Sequence, residues 1–181
     1  MLKRWKLIST KNIFTSKYLG ADVSSYELPN GKIIEDFYSF SRGNFVLVIA
    51  INSKQEILIE KQYRPMADDF IYELPAGWID EGETPLQAGT RELKEETGYI
   101  GVGKAFGPFY VLPGTSKINS HVAILKIDEN SQGSLERSDD ENIELVFMSL
   151  EKINEMILNG EIKDEVLLVG LSVLNAYDKS K

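Results

Sequence analysis

Between Gly77 and Tyr99 the chain reads Gly-Trp-Ile-Asp-Glu-Gly-Glu-Thr-Pro-Leu-Gln-Ala-Gly-Thr-Arg-Glu-Leu-Lys-Glu-Glu-Thr-Gly-Tyr. This stretch constrains the fold more than any other. It predicts a helix over Pro85–Thr97, with Thr84 as N-cap, Pro85 at the first helical position and Gly98 closing the C-terminus. Glu92, Glu95 and Glu96 then stand at i, i+3 and i+4, so their carboxylates share one helix face with Cβ atoms roughly 5–6 Å apart. Helix propensity does not ask for three like charges so close together. A divalent cation relieves their repulsion, and hard oxygen ligands suit Mg²⁺ or Mn²⁺. The ordinary alternative for a Glu-rich face is solvation. A glycine loop ahead of the cluster, Arg91 beside it and Gly98 behind it set this one apart.

Composition bounds the rest. A chain of 181 residues suits one domain, or one domain with a modest extension, and 43% hydrophobic with 27% charged residues is globular. The formal net charge of −8 argues against non-specific binding to nucleic acid or to an anionic membrane surface. A nucleotide remains compatible with it, provided a metal ion and a few local cations carry the phosphates. The absence of cysteine excludes disulfides, zinc thiolate sites and thiol catalysis, and the single histidine, His121, cannot build a multi-histidine metal site. The start Met1-Leu2-Lys3-Arg4-Trp5-Lys6-Leu7 is basic but has no continuous apolar segment, and no stretch nears about eighteen apolar residues. The expected setting is cytoplasmic, without a membrane partner.

Residues 1–40 read as a small β meander. Short strands are expected over Trp5–Thr10 and Lys11–Phe14, and Ser24–Leu28 alternates weakly. A Pro29-Asn30-Gly31-Lys32 turn then returns the chain along Ile33–Phe40. Such a meander has too little core to stand alone. It is expected to pack on the main domain, residues 41–181, or on a second subunit. Trp5, Tyr18, Tyr26, Phe37, Tyr38 and Phe40 make it aromatic-rich. Packing is the ordinary role of such rings; stacking of one or two on a base is the alternative.

From Gly43 the pattern sharpens. Phe45–Ile51 is a nearly continuous apolar run, expected as a strand buried on both faces, and Ile57–Tyr63 returns after a turn at Asn52–Gln55. A short strand over Phe70–Ala76 enters the glycine loop. Further strands are expected over Phe109–Leu112, His121–Ile127 and Ile143–Met148, with Gly101–Ala105 a loop or short strand. Asp128–Asn142 is a long acidic loop, and loops of that length are often functional. A short helix is expected over Leu150–Leu158. A last one is capped by Asp164, with Val166, Val169, Val173 and Ala176-Tyr177 lining one side and Gly170 marking close packing.

Gly77, Glu83, Arg91, Glu92, Glu95, Glu96 and Gly98 occupy every fixed position of a known pattern, and on them the chain resembles the Nudix hydrolase superfamily. The resemblance implies an α/β (α+β) fold, an α/β/α sandwich around a mixed sheet, with the meander as an added N-terminal piece. It implies metal-dependent pyrophosphate hydrolysis. Glu92 and Glu96 are implied as the main metal ligands, Glu95 as a further ligand or one acting through water, and the Ala76 carbonyl as a backbone ligand. Glu83 and Arg91 are implied to brace the site. Gln62-Tyr63-Arg64, Glu73-Leu74-Pro75-Ala76 and Pro113 resemble the ADP-ribose pyrophosphatase branch. That branch implies Arg64 on a phosphate, Glu73 on the nucleotide or the braced loop, and Pro113 near the substrate. It also implies a homodimer, formed with the help of the meander. It implies a general base, or extra metal ligand, from an acidic loop, here Glu141, with Asp140 and Asp139 as the other candidates. Lys117 and Asn119 stand where that branch presents a carboxylate to the terminal ribose, so the sugar stays open between ADP-ribose and another nucleoside diphosphate sugar. A hydrolase of modified nucleoside triphosphates and a regulator that binds ADP-ribose without cleaving it are the competing readings. Gly89 interrupts the helix where alanine is usual, at a cost of about 0.5–1 kcal/mol. Tyr99 takes a place more often aliphatic, and His121 is read as a structural strand residue.

Overall fold

The computed structural model describes residues 1–16, 19–41, 43–136 and 142–180. They fall into two compact units, Met1–Asn44 with Pro108–Ser120, and Phe45–Gly107 with His121–Lys181.

The first unit is built on an antiparallel meander of β1 (Lys6–Thr15), β2 (Gly20–Glu27) and β3 (Ile33–Ser41), in that spatial order. The two short strands expected over residues 5–14 are one strand. Irregularities between Leu7 and Ser9 and between Asn12 and Phe14 let it stay paired with β2 along its length. Gly31 turns the hairpin at φ +81°, and its N–H donates to the Leu28 carbonyl at 2.9 Å. Trp5, Tyr26 and Phe37 pack edge to face with centroids 5.4–6.2 Å apart, which is a packing role for these rings. Tyr18 lies outside the described residues. The 108–120 segment runs against β3: Phe40 N–H donates to the Thr115 carbonyl at 2.8 Å and Lys117 N–H to the Phe40 carbonyl at 3.0 Å. Lys117 also donates to the buried Asp22 carboxylate at 2.9 Å, which holds that carboxyl below its usual range, and Asn119 donates to Asn44 Oδ1 at 3.2 Å. Both residues at the unusual positions therefore have structural partners within this unit.

The second unit begins with β4 (Phe45–Ile51) and β5 (Ile57–Arg64). One strand was expected over 70–76; two form, β6 (Asp69–Glu73) on β5 and β7 (Ala76–Trp78) on β4. Pro75 explains the break, since it has no N–H to give a ladder, while its carbonyl accepts from Val48 N–H at 2.8 Å. The chain thus steps sideways at Leu74-Pro75 and carries Ala76-Gly77 to the next element, α1 (Pro85–Thr97). This helix has the ends its sequence predicts. Thr84 and Gln87 form a reciprocal capping box, and Gly98 closes the helix at φ +76°. Next come β8 (Gly101–Tyr110), where the two short segments expected over 101–112 form one strand, β9 (Asn119–Ile127), β10 (Ile143–Met148), α2 (Leu150–Leu158) and α3 (Glu165–Asp178). The mixed sheet has the order β10-β5-β4-β9-β8, with β6 and β7 attached to β5 and β4.

Alternation along β4 divides the core. Val46, Val48 and Ala50 join Leu58, Ala88, Leu93, Ala123 and Leu125 on the face covered by α1. A Cβ on Gly89 would stand 2.8 Å from Ala123 Cβ and 3.3 Å from Val46 Cγ2, so the missing methyl is what lets the helix lie this close to the sheet. Ile49 faces the other way, toward α3, whose buried side is Leu167, Gly170 and Leu174. That corrects the face expected from Val166, Val169 and Val173; Val169 is 38% exposed. The cause is Gly170, whose added Cβ would meet Leu74 Cδ1 at 2.5 Å. The helix turns its thinnest point inward and its flanking leucines follow. Among the described residues no helix is long and apolar enough to cross a membrane.

Candidate active site

Arg91 lies at the centre of the glycine loop and the helix that follows it. Its guanidinium has five N–H donors. Nε and Nη2 reach the two oxygens of Glu83 at 2.9 Å each, Nη1 reaches Glu92 at 2.7 Å and Glu95 at 3.2 Å, and Nη2 also reaches the Trp78 carbonyl at 2.9 Å. All five donors are used within the loop and helix. The bonds from Glu83 raise the Arg91 pKa further above its already high value, and the same bonds, with Asp80 N–H, hold the Glu83 carboxyl below its usual range.

Two helix carboxylates meet β7 directly. A Cβ on Gly77 would lie 2.0 Å from the Glu92 carboxyl carbon, so Glu92 occupies the space that any other residue's side chain would take. One turn on, the buried Glu96 accepts from Ala76 N–H at 3.1 Å. Glu96 thus meets the backbone at Ala76 and Glu92 packs against Gly77, the next residue.

Beside this lies a second polar pair. Arg64 Nε and Nη2 grip Glu73 at 2.9 and 2.6 Å, and Gln62 donates to the same carboxylate at 3.1 Å. The guanidinium is half-exposed and its Nη1 edge has no hydrogen bond among the described residues. Glu73 most strongly, then Glu96 and Glu60, favour its charged form. Glu60 is the member that sequence reasoning missed. It is 1% exposed, directly opposite Glu73 in the β5–β6 register, and lies in an apolar run that reads as plain core. The usable signal is period two: Glu60, Gln62 and Arg64 share one face of β5.

The remaining expected residues lie elsewhere. Pro113 is in the 108–120 segment of the first unit, in a turn where Thr115 N–H donates to the Leu112 carbonyl at 2.8 Å. Asp139, Asp140 and Glu141 lie outside the described residues. His121 sits on β9, where partial burial lowers its pKa. Tyr99 is a core residue whose ring packs edge to face with Phe147.

Among the described residues no three acidic or histidine side chains converge as a ready metal cage. Arg91 Nη1 stands between Glu92 and Glu95, and Glu96 is turned to a backbone amide. The donor set nevertheless fits a hard divalent cation. It is all oxygen: Glu83, Glu92 and Glu95 converge on one guanidinium, and Glu96 stands one helix turn beyond Glu92 against Ala76 N–H.

A glycine loop stacked on a carboxylate helix, beside an arginine at the end of a sheet strand, defines a class of phosphate-handling hydrolase. The NUDIX domain model matches residues 42–168, and the chain belongs to that family, whose hydrolases generally depend on a divalent metal. It is 31% identical over 160 residues to the ADP-ribose pyrophosphatase of Bacillus subtilis, covering 88% of this chain and 86% of that protein. It is 29% identical over 177 residues to the methanol dehydrogenase activator of Bacillus methanolicus, covering 97% and 95%. A solved structure described as an ADP compounds hydrolase superposes with a TM-score of 0.83 at 16% identity, covering 99% of this chain and 97% of that one, which is a likeness of fold.

Proposed function

We propose that this protein hydrolyses the pyrophosphate bond of ADP-ribose or a related nucleoside diphosphate sugar, releasing a nucleoside monophosphate and a sugar phosphate. The observation that carries the reading is the placement of Arg64. Glu73, which also accepts from Gln62, holds it by its Nε–Nη2 edge, and the guanidinium lies within electrostatic reach of Glu96. A guanidinium presented beside carboxylates suits a diphosphate whose oxygens are shared between an arginine and a cation. The name of the Bacillus subtilis relative supports the same substrate class.

In this reading Glu92, Glu96, Glu95 and the Ala76 carbonyl would hold Mg²⁺, with Mn²⁺ as the alternative ion. When bound, the ion neutralises phosphate oxygens and acidifies the attacking water. Arg91 keeps Glu83, Glu92 and Glu95 aligned and, with every donor engaged, leaves phosphate binding to Arg64. Water attacks one phosphorus, the bond from that phosphorus to the bridging oxygen breaks, and the bridging oxygen leaves on the other phosphate. The water proton passes to a carboxylate, for which Glu141 is the proposed acceptor, ahead of Asp140 and Asp139.

A homodimer belongs to the same reading. All of β1 is exposed, with Leu7, Ile8, Ile13 and Phe14 each about half so, and its outer edge has no strand partner among the described residues. Such an edge invites pairing with a second copy.

A panel of substrates tests the function. With Mg²⁺, the protein is expected to release monophosphate from ADP-ribose or a nucleoside diphosphate sugar, and Glu96→Gln is expected to abolish turnover while leaving the fold intact. Cleavage of nucleoside triphosphates alone would overturn the substrate class. Tight ADP-ribose binding without cleavage would favour the regulator.

A further inference from the structure

The last four carbonyls of a helix have no partner inside it. In α1 one of them is satisfied locally, Lys94 accepting from Gly98 N–H at 2.9 Å. Others are satisfied from a distance by the acidic loop. Glu136 N–H donates to the Glu95 carbonyl at 3.0 Å, Gln132 Nε2 to the Thr97 carbonyl at 2.8 Å, and Gly133 N–H to the carbonyl of Gly98, just past the helix end, at 2.8 Å. Lys94 Nζ pairs with Glu136 Oε1 at 2.6 Å. The approach is close: a Cβ on Gly98 would lie 2.6 Å from the Gly133 carbonyl oxygen. Gly98 therefore answers two demands at once, a left-handed cap and room for another backbone. The 132–136 segment has no regular secondary structure, yet two of its backbone N–H groups, those of Gly133 and Glu136, bond this one helix end.

We propose that Gln132–Glu136 is a positioning strap for the carboxylate turn of α1, with the Gln132 side chain and the Glu136 N–H as its two positioning groups. The inference rests on the reading that Glu95 and Glu96 help to hold the divalent ion. Those residues lie in the final turn, the part of a helix that frays most readily. Ligating groups must stay within about 0.5 Å of their working positions. Three hydrogen bonds from outside the helix suppress fraying where its carboxylates are needed, and they do so without touching the ion or the substrate.

The test compares Mn²⁺ binding to the full chain, measured by electron paramagnetic resonance of the free ion without substrate, with amide exchange at Gly98 and Tyr99. Gln132→Glu preserves size and removes the donor facing the Thr97 carbonyl. Glu136→Pro removes the N–H that serves Glu95 together with the carboxylate paired to Lys94, and is read against Glu136→Ala, which removes the carboxylate alone. Gln132→Glu and Glu136→Pro are each expected to weaken Mn²⁺ binding by about two- to tenfold, the range of one hydrogen bond, and to speed exchange at both amides. Gln132→Lys keeps a donor and is expected to bind close to the wild-type level. Lys152→Ala, which removes an exposed ion pair on α2 at 3.1 Å, serves as the control and is expected to change neither readout. Unchanged Mn²⁺ affinity in both strap variants, with only a lowered melting temperature, would make the strap purely structural and overturn the proposal. A wild-type protein that binds no Mn²⁺ would instead remove the metal reading beneath it.

Discussion

Gly77→Ala separates the site from the fold more cleanly than removal of a carboxylate. The added Cβ would lie 2.0 Å from the Glu92 carboxyl carbon, where ordinary contact begins at 3.4 Å, so one of the two must give by about 1.4 Å. Gly77 is held in β7, with Val46 and Gly77 directly paired, whereas the Glu92 carboxylate is the end of a flexible side chain. Glu92 therefore moves, and its 2.7 Å bond to Arg91 is lost. That loss is worth about 1 kcal/mol, and a chain of this length then melts about 2–4 °C lower. A displacement on the ångström scale at a reacting centre costs about 100-fold in rate. The expected pattern is a small change in melting temperature with a fall of about two orders of magnitude in kcat on ADP-ribose at saturating Mg²⁺. Gly114→Ala, whose Cβ meets nothing within 4 Å, is the matched control for both measurements. A Gly77→Ala enzyme within threefold of wild type would refute the reasoning, because Glu92 would then work from a place it cannot occupy here. A collapse of the fold would refute it differently, by making Gly77 a folding glycine.

Two other perturbations follow from the same geometry. Gly89→Ala gains about 1 kcal/mol of helix propensity but forces a Cβ to 2.8 Å from Ala123 Cβ, which cannot rotate away, at an overpacking cost of about 1–3 kcal/mol. The variant is expected to melt lower, with Ala123→Gly in the same chain restoring it, and a higher melting point would show that the interface relaxes freely. His121, held below its usual pKa of 6.5 by burial, makes stability depend on acid. Below pH 6.5 the unfolded chain takes up a proton that the folded one refuses, so this contribution falls away as pH drops toward the folded pKa. Urea midpoints at pH 7.5 and 5.5 should differ more for wild type than for His121→Gln, and equal differences would exclude the histidine as the cause.

Much of the site was legible because it is local. The capping box at Thr84, the glycine at Gly98 and the common face of Glu92, Glu95 and Glu96 all follow from contacts within a turn or two of one helix, and α2 begins and ends where its own periodicity says. Tertiary structure decided what depends on residues distant in the chain. It aimed Glu92 at Gly77 and Glu96 at Ala76, because Pro75 shifts the strand from β5 to β4. It turned α3 onto Gly170, placed Glu60 opposite Glu73, gave Lys117 to Asp22, and laid Gln132 across the end of α1. The physical reason is the range of the forces that act. A helix end is chosen by hydrogen bonds a few residues long, so the residues that make them can be read in order. A close approach between two backbones is chosen by which side chains are missing, and a glycine alone does not say which neighbour it admits.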